Sequence, residues 1–428
     1  MSAQLPITRR VLASALTLLV AAFVVRCSDG PVGPGAEITQ LPRDLTAAEQ
    51  ELIQSDNAFG LKLFREIHAQ EDAGENIFIS PLSVAMALGM TYNGAAGTTY
   101  EAMQETLELQ GLSLEEVNQS YRSLIDLLAD LDPTVEWLLA NSIWYRQGLP
   151  VRQEFLDVNS EYFDALVAAL DFNHPDAAPT INHWVNEKTN GRIEEIVDDP
   201  IPDWVCMYLI NAIYFKGDWT VQFDPELTAD RPFNLADGSE KQVPMMTYPG
   251  VVEAGYYRDE HLQALDLPYG GRAYSMTILL PPREGDIGTL VESLDSERWA
   301  SIIAGLESAE LNVVMPKYTL EYELEMKDVL TALGMGVAFV EGAADFSKIC
   351  CTPGDVWIGK VKHKTFVEVN EEGTEAAAVT SVEMHFGTGP GGGPLTIYVD
   401  RPFLFVIRER ISGTILFMGL IMDPVPAG

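Results

Sequence analysis

The chain has 428 residues, 47% hydrophobic and 21% charged, which excludes gross disorder, collagen and a small disulfide scaffold for the whole. Against 63 Asp and Glu stand 27 Lys and Arg, a formal net charge of −36. So acidic a surface repels phosphate and argues against nucleic acid and anionic membrane surfaces as partners.

Arg9 and Arg10 precede an apolar stretch from Val11 to Val25. A charged start before so short an apolar core reads as an export signal over residues 1–26, with a loose likeness to a twin-arginine signal. Cys27 follows directly and resembles the acylated cysteine of bacterial lipoproteins, although Arg26 stands where that signal wants a small residue. Lipid attachment at Cys27, simple secretion and a membrane anchor therefore all stay open. The expected location is extracellular or anchored to the cell envelope. Residues 27–44, rich in proline and glycine, read as a flexible linker.

From residue 45 to 426 the pattern is that of one large domain. Thr46 to Glu49 forms a capping box opening a helix with Leu52, Phe59, Leu63, Phe64 and Ile67 on one face. Ser80-Pro81 predicts a second helix start, and Leu82 to Tyr92 is so apolar that this helix must be buried. Thr98 with Glu101 predicts a third start. Thr180 to Asn190 reads as a helix closed by Gly191. Trp204 to Phe215 is a continuous apolar run, as in a strand covered on both faces. Asp237-Gly238 marks a hairpin turn. Strands are predicted at 273–280, 311–315, 356–369, 395–399, 403–407 and 415–421. Helices come mainly first and strands later, without βα alternation, so the fold class is α+β.

No enzyme motif is present: no G-x-S-x-G elbow, no H-E-x-x-H and no phosphate-binding loop. The six histidines show no metal-ligand spacing, and no cofactor is implied. The four cysteines, Cys27, Cys206, Cys350 and Cys351, are too few for a disulfide framework. Without a C-x-x-C, a structural zinc site has no support. Cys350 and Cys351 read as ordinary loop or core residues.

Residues 371–394 read EEGTEAAAVTSVEMHFGTGPGGGP. At period two, Thr374, Ala376, Ala378, Thr380, Val382, Met384 and Phe386 form an uncharged face. The alternate face holds Glu375, Ala377, Val379, Ser381, Glu383 and His385. That suits a strand with one face for burial and one for water. A solvent-facing strand with a hairpin loop fits equally, and the alanines also suit a helix.

Lys364 to Ala378 (KTFVEVNEEGTEAAA) closely resembles the hinge of the serpin family. Asn76 to Ser83 resembles that family's buried second helix, and Leu209 to Trp219 its central-sheet strand and turn. Val243-Pro244-Met245-Met246 and Asp400 to Phe405 are similar to two further signatures. The resemblance runs from about residue 45 to 425 and implies about nine helices, three β-sheets and an exposed reactive-centre loop at about 371–394. It implies an irreversible suicide-substrate inhibitor of serine, and also of cysteine, endopeptidases, and no enzyme. The cut loop would enter the central sheet as a new strand, a mechanism known for the family. A non-inhibitory binding or carrier module is the alternative. The uncharged face from Thr374 to Phe386 would enter without an ionic desolvation penalty. It would span roughly 43 Å and gain on the order of 10–25 kcal/mol of backbone hydrogen bonding.

The same resemblance implies residue roles. Glu371, Gly373, Thr374, Glu375, Ala376, Ala377 and Ala378 form the hinge, with Gly373 supplying backbone freedom. Ser80, Ser83, Asn211 and His363 form a polar cluster under the opening strands. Trp219, Lys317 and Glu371 lie where the loop joins the sheet, the last two as a salt bridge whose plain reading is a surface ion pair. The scissile bond is Gly387-Thr388 by count or Phe386-Gly387 by the end of the burial pattern. The first suits elastase-like proteases and the second chymotrypsin- or subtilisin-like ones. The protein is expected to act as a monomer.

Overall fold

The computed structural model describes residues 37–374 and 395–425. Two hydrogen-bonded sheets and nine α-helical segments account for most of the described residues. The helices are α1 (Ala47–Gln70), α2 (Pro81–Tyr92), α3 (Gly97–Thr106), α4 (Leu114–Ala129), α5 (Gln153–Tyr162), α6 (Ala177–Lys188), α7 (Ile287–Ser293), α8 (Ser296–Ala304) and the short α9 (Lys327–Leu330). The strands are β1 (Ile77–Ile79), β2 (Val135–Arg146), β3 (Leu166–Leu170), β4 (Met207–Asp218), β5 (Ala229–Asn234), β6 (Glu240–Thr247), β7 (Val252–Arg258) and β8 (Gln263–Tyr269). They continue with β9 (Tyr274–Leu280), β10 (Glu307–Pro316), β11 (Tyr318–Glu325), β12 (Lys362–Val369), β13 (Gly373–Thr374), β14 (Leu395–Tyr398), β15 (Phe403–Glu409) and β16 (Ile415–Ile421).

One sheet has six strands in the order β11-β12-β13-β4-β2-β3. The other has ten, in the order β1-β16-β15-β9-β8-β7-β10-β6-β5, with β14 along the free side of β10. Three sheets were expected from the resemblance, and β10 is why hydrogen bonding gives two. Its first half pairs with β7 and its last residues with β6, while β14 runs parallel on the opposite edge. One long strand thus joins the two smaller sheets.

The capping box at Thr46 forms, with Glu49 reaching back to the Thr46 N–H. Helix α2 starts at Pro81 with Ser80 as N-cap, and nearly all its side chains are buried. It lies between the two sheets, packed on β4 and on β16. Strands β9, β15 and β16 are buried along their whole length, and the Phe78 ring stacks between Phe405 and Phe417. A second, smaller core forms beneath α6, where Ile181 and Val185 meet Trp144, Val205 and Ile210. Along β4 the side chains alternate: Tyr208 and Ile210 face the α6 core, Leu209, Ile213 and Phe215 the main one.

Four local expectations need correction. Helix α3 starts at Gly97 with Ala96 as N-cap and no side-chain cap; Thr99, not Thr98, supplies a hydroxyl to a backbone N–H there, that of Asp345. Helix α6 begins at Ala177 and ends at Lys188, two residues before Asn190, and Gly191 takes the left-handed conformation beyond it. Residues 356–361 are not strand, because their backbone groups are engaged elsewhere: Ile358 N–H donates to Ala338 O and Met326 N–H to Val361 O. Finally, Ile38 is buried and its N–H donates to Gly271 O, so the packed domain reaches back into the stretch read as a linker.

A buried ion cluster ties β8, β9 and β15 together. Asp266 is 2% exposed and accepts from Ser275 and Thr277 hydroxyls, from Arg408 at 3.1 Å, and faces Arg410 at 3.3 Å. Asp266→Ala strands the buried Arg408 guanidinium, so a loss of about 3–5 kcal/mol is expected, read as a large drop in thermal midpoint by circular dichroism.

Candidate functional site

The six-stranded sheet is divided along its middle. Strand β12 ends at Val369, the chain turns through 370–372, and β13 returns between β12 and β4. Asn370 makes the turn: its Oδ1 accepts from the N–H groups of Glu372 and Gly373, and its own N–H donates to Gly373 O. This Asx arrangement replaces ladder bonds with side-chain ones. Trp219 fastens the turn from the β4 side. Its indole N–H donates to Asn370 O at 3.0 Å, its backbone N–H donates to Glu372 O, and its ring stacks on Tyr269 at 4.5 Å.

Lys317 and Glu371 meet at 3.2 Å, and the carboxylate is buried at 8% exposure, so this is no surface pair. Burial acts to raise the Glu371 pKa; the Thr228 hydroxyl, donating at 2.8 Å, and the Lys317 ammonium outweigh it and hold the group below the usual range. Gly373 has a different role from the one expected. Its φ is not left-handed, and a Cβ there would lie 2.2 Å from Gly217 O and 2.6 Å from Asp218 Cα. Close approach of two backbones, not conformational freedom, demands glycine. Thr374 is 3% exposed, with its hydroxyl 2.7 Å from that of Tyr269.

Beyond Thr374, β12 and β4 exchange no ladder hydrogen bonds among the described residues. A narrow space lined by Ile213, Phe215, Phe366, Val367 and Thr374 lies between them. Farther along the strands a cavity of about 340 Å³ is lined by Ser83, Leu88, Asn211, Ile349, Trp357 and His363, among others.

The polar cluster at this cavity is only partly joined. His363 Nε2 accepts from Ser80 N–H at 3.0 Å, Ser80 Oγ donates to Leu416 O at 2.7 Å, and Ser83 N–H donates to Ser80 Oγ. Asn211 turns the other way, donating to Asn141 Oδ1 at 2.7 Å; its own Oδ1 is buried and without a partner among the described residues. Burial pushes the His363 pKa down to about 4, so the ring is neutral at neutral pH and can accept.

The opposite face of the sheet carries a strap. Asn182 on α6 holds the backbone of Ile196 and Val197, and Asp198 then pairs with Lys362 at 2.7 Å and Lys360 at 3.0 Å. Those two lysines hold its carboxyl below the ordinary range. The Arg192 guanidinium lies 4.7 Å over the Phe366 ring. Residues 192–198 are thus fixed to β12 from outside, as His363 and Thr365 fix it from inside; Thr365 Oγ1 donates to Phe78 O at 2.5 Å.

Glu375, Ala376, Ala377, Ala378, Phe386, Gly387, Thr388 and Cys27 lie outside the described residues. The sequence reading missed Asn141, Thr228, Tyr269, Thr365 and Asp198. Thr365 was within reach, because it shares the inward parity of His363; the others become neighbours only through sheet pairing and the packing of distant loops.

The serpin family profile, described as serine protease inhibitor, matches residues 54–424. Human neuroserpin is 36% identical over 364 residues, covering 82% of this chain and 86% of the relative. Human leukocyte elastase inhibitor is 34% identical over 385 residues, covering 88% and 100%. Tengpin, a thermophilic serpin solved in its native state, superposes with a TM-score of 0.79 at 29% identity over 91% of this chain and 97% of its own. Human thyroxine-binding globulin in complex with its hormone gives 0.79 at 26% identity over 89% and 100%.

His363 gives the site a pH signature. A folded pKa of about 4 against an ordinary 6.5 means the unfolded chain binds the extra proton first. Its contribution is therefore complete above pH 6.5 and is lost as pH falls towards 4, up to about 3 kcal/mol. Asp56, raised by burial to about 7 although the Tyr121 hydroxyl lowers it, titrates in the opposite sense over an overlapping window. The measurement is thus the difference between parent and His363→Gln thermal midpoints from pH 7 to 4. The gap is expected to close as pH falls, and a constant gap would remove the assigned role.

Proposed function

This chain belongs to the serpin family of serine protease inhibitors, and we propose that it is an irreversible suicide-substrate inhibitor of subtilisin-, chymotrypsin- or elastase-like serine proteases. Cysteine endopeptidases are a further target class. The site of action is outside the cell, with the chain exported as a monomer and either free or tethered through Cys27. The observation that carries this reading is the divided sheet: β13 already lies between β12 and β4, and those strands do not pair with each other beyond it among the described residues.

The register of β13 supports a definite path for an inserted strand. Thr374 pairs with Val369 and with Gly217, so each step forward along the loop is one step back along both neighbours. Ala376 would face Val367 and Phe215, Ala378 would face Thr365 and Ile213, and Thr380 would arrive between His363 and Asn211. Small residues come first, where the sheet is narrowest, and a hydroxyl comes where Asn211 Oδ1 lacks a partner. A buried acceptor left unpaired costs about 1–3 kcal/mol, so Thr380 would offset that cost only after insertion. The protease, held as an acyl ester at Gly387 or Phe386, would be carried along with the strand.

Leukocyte elastase inhibitor among the relatives supports a target with a small specificity pocket, in keeping with Gly387 before the cut. Thyroxine-binding globulin has the same fold around a hormone and supports the second reading, a carrier that is cleaved without trapping. Incubation with subtilisin, chymotrypsin and elastase decides between them: an SDS-stable covalent complex is expected with at least one, and cleaved chain alone with all three leaves the carrier reading standing.

Three variants test the register. Thr374→Arg places a charge at a 3% exposed position, so cleavage without complex is expected. Thr380→Val is expected to lower complex yield several-fold while Thr380→Ser keeps it. Equal yields from Val and Ser would show that no hydroxyl is needed between His363 and Asn211.

A further inference from the structure

Three cysteines of the described residues, Cys206, Cys350 and Cys351, line the same cavity of about 340 Å³. Cys206 comes from the β4 side, just before Met207; Cys350 and Cys351 end the segment that Ile349 anchors. That anchor is firm: Arg152 N–H donates to Ile349 O and its guanidinium to Ser347 O. A Cβ on Gly94 would lie 2.1 Å from the Ile349 side chain, so the fit there is close. The two neighbouring thiols are in contact, with Cys351 Sγ donating to Cys350 Sγ at 2.9 Å. Cys351 takes a left-handed φ of 66°, which costs a residue with a Cβ about 1–2 kcal/mol. The backbone is bent at the residue that turns the second sulfur back onto the first.

We propose that Cys350 and Cys351 form a reversible dithiol–disulfide site on the wall of this cavity. The Cys351 thiol is half-buried and Cys350 is buried at 1% exposure, which sets the order of events. The Cys351 thiolate attacks one sulfur of a low-molecular-weight disulfide and expels the other half as a thiolate. Cys350 loses its proton and attacks the Cys351 sulfur of the mixed disulfide, expelling the second thiolate. One sulfur–sulfur bond forms and one breaks; two protons and two electrons pass to the oxidant, which leaves as two thiols. Burial and the neighbouring thiol push the Cys350 pKa up to about 12, so its thiol ionises reluctantly and the second, intramolecular step, helped by the contact between the two sulfurs, is the slow one. Adjacent Cα atoms are about 3.8 Å apart, below the roughly 4.4–6.8 Å of an ordinary disulfide. The bond is therefore of the strained, readily reduced class rather than a permanent staple.

The test uses the full-length chain treated with oxidised glutathione, denatured, alkylated, digested and weighed. After oxidation the peptide holding Cys350 and Cys351 is expected to carry no alkyl group and to be two hydrogens lighter; after dithiothreitol it is expected to carry two alkyl groups. Cys206→Ser is expected to leave this unchanged, and Cys350→Ser to retain glutathione on Cys351. A parent chain that links Cys206 to either neighbour, holds glutathione on Cys351, or stays fully alkylated would overturn the proposal. These readouts do not depend on whether the chain traps a protease, so their failure is distinct from failure of the inhibitor reading.

Discussion

Backbone donors and acceptors inside a sheet need partners, and an open edge in the middle of one is an unusual thing for a fold to keep. Among the described residues β4 and β12 are paired outward, to β2 and β11, and inward only at Gly373 and Thr374. Every other feature of the site answers to that division. The Asn370 turn and Trp219 hold β13 in place at one end. The strap at residues 192–198 and the His363 cluster hold the flanking strands from the two faces.

These restraints differ in how they respond to conditions. The Asp198 pairs with Lys360 and Lys362 are partly exposed and weaken with salt. The His363 contact is buried and indifferent to salt, but it depends on a neutral ring. The Lys317-Glu371 pair lies between, with a buried carboxylate and a partly exposed ammonium. With a formal net charge of −36, general self-repulsion also favours opening of any seam whose two sides carry like charge. The lysines on the outer face of β12, Lys362 and Lys364, counter this locally against Asp198, Glu321 and Glu323.

Much of this was legible before the fold. Apolar periodicity located β9, β15 and β16 because these strands are buried on both faces and leave long apolar runs. The Thr46 and Ser80 caps were legible because capping is local chemistry. The misreading at 356–361 has the opposite cause: Val356, Trp357 and Ile358 are apolar for packing around a cavity, and composition alone does not separate that from a strand. The start of α3 was misplaced because Ala96 caps it without a side chain. At the site, His363, Ser80, Lys317 and Glu371 were found through resemblance. Asn141 and Tyr269 required the register of strands far apart in the chain. Gly373 was picked out for the wrong reason, since the crowding that demands it comes from Gly217.

That crowding of Gly217 against Gly373 has one more implication. Only a residue without a Cβ fits against the Gly217 carbonyl and Asp218 Cα, so Gly373 would serve as an index mark for any strand that grew from it. A slip by one position would bring Glu375 to the inward site that Thr374 occupies and exchange the two faces along the whole ribbon. Misthreading of such a strand would thus be penalised at the first step, before any of the remaining length had been committed.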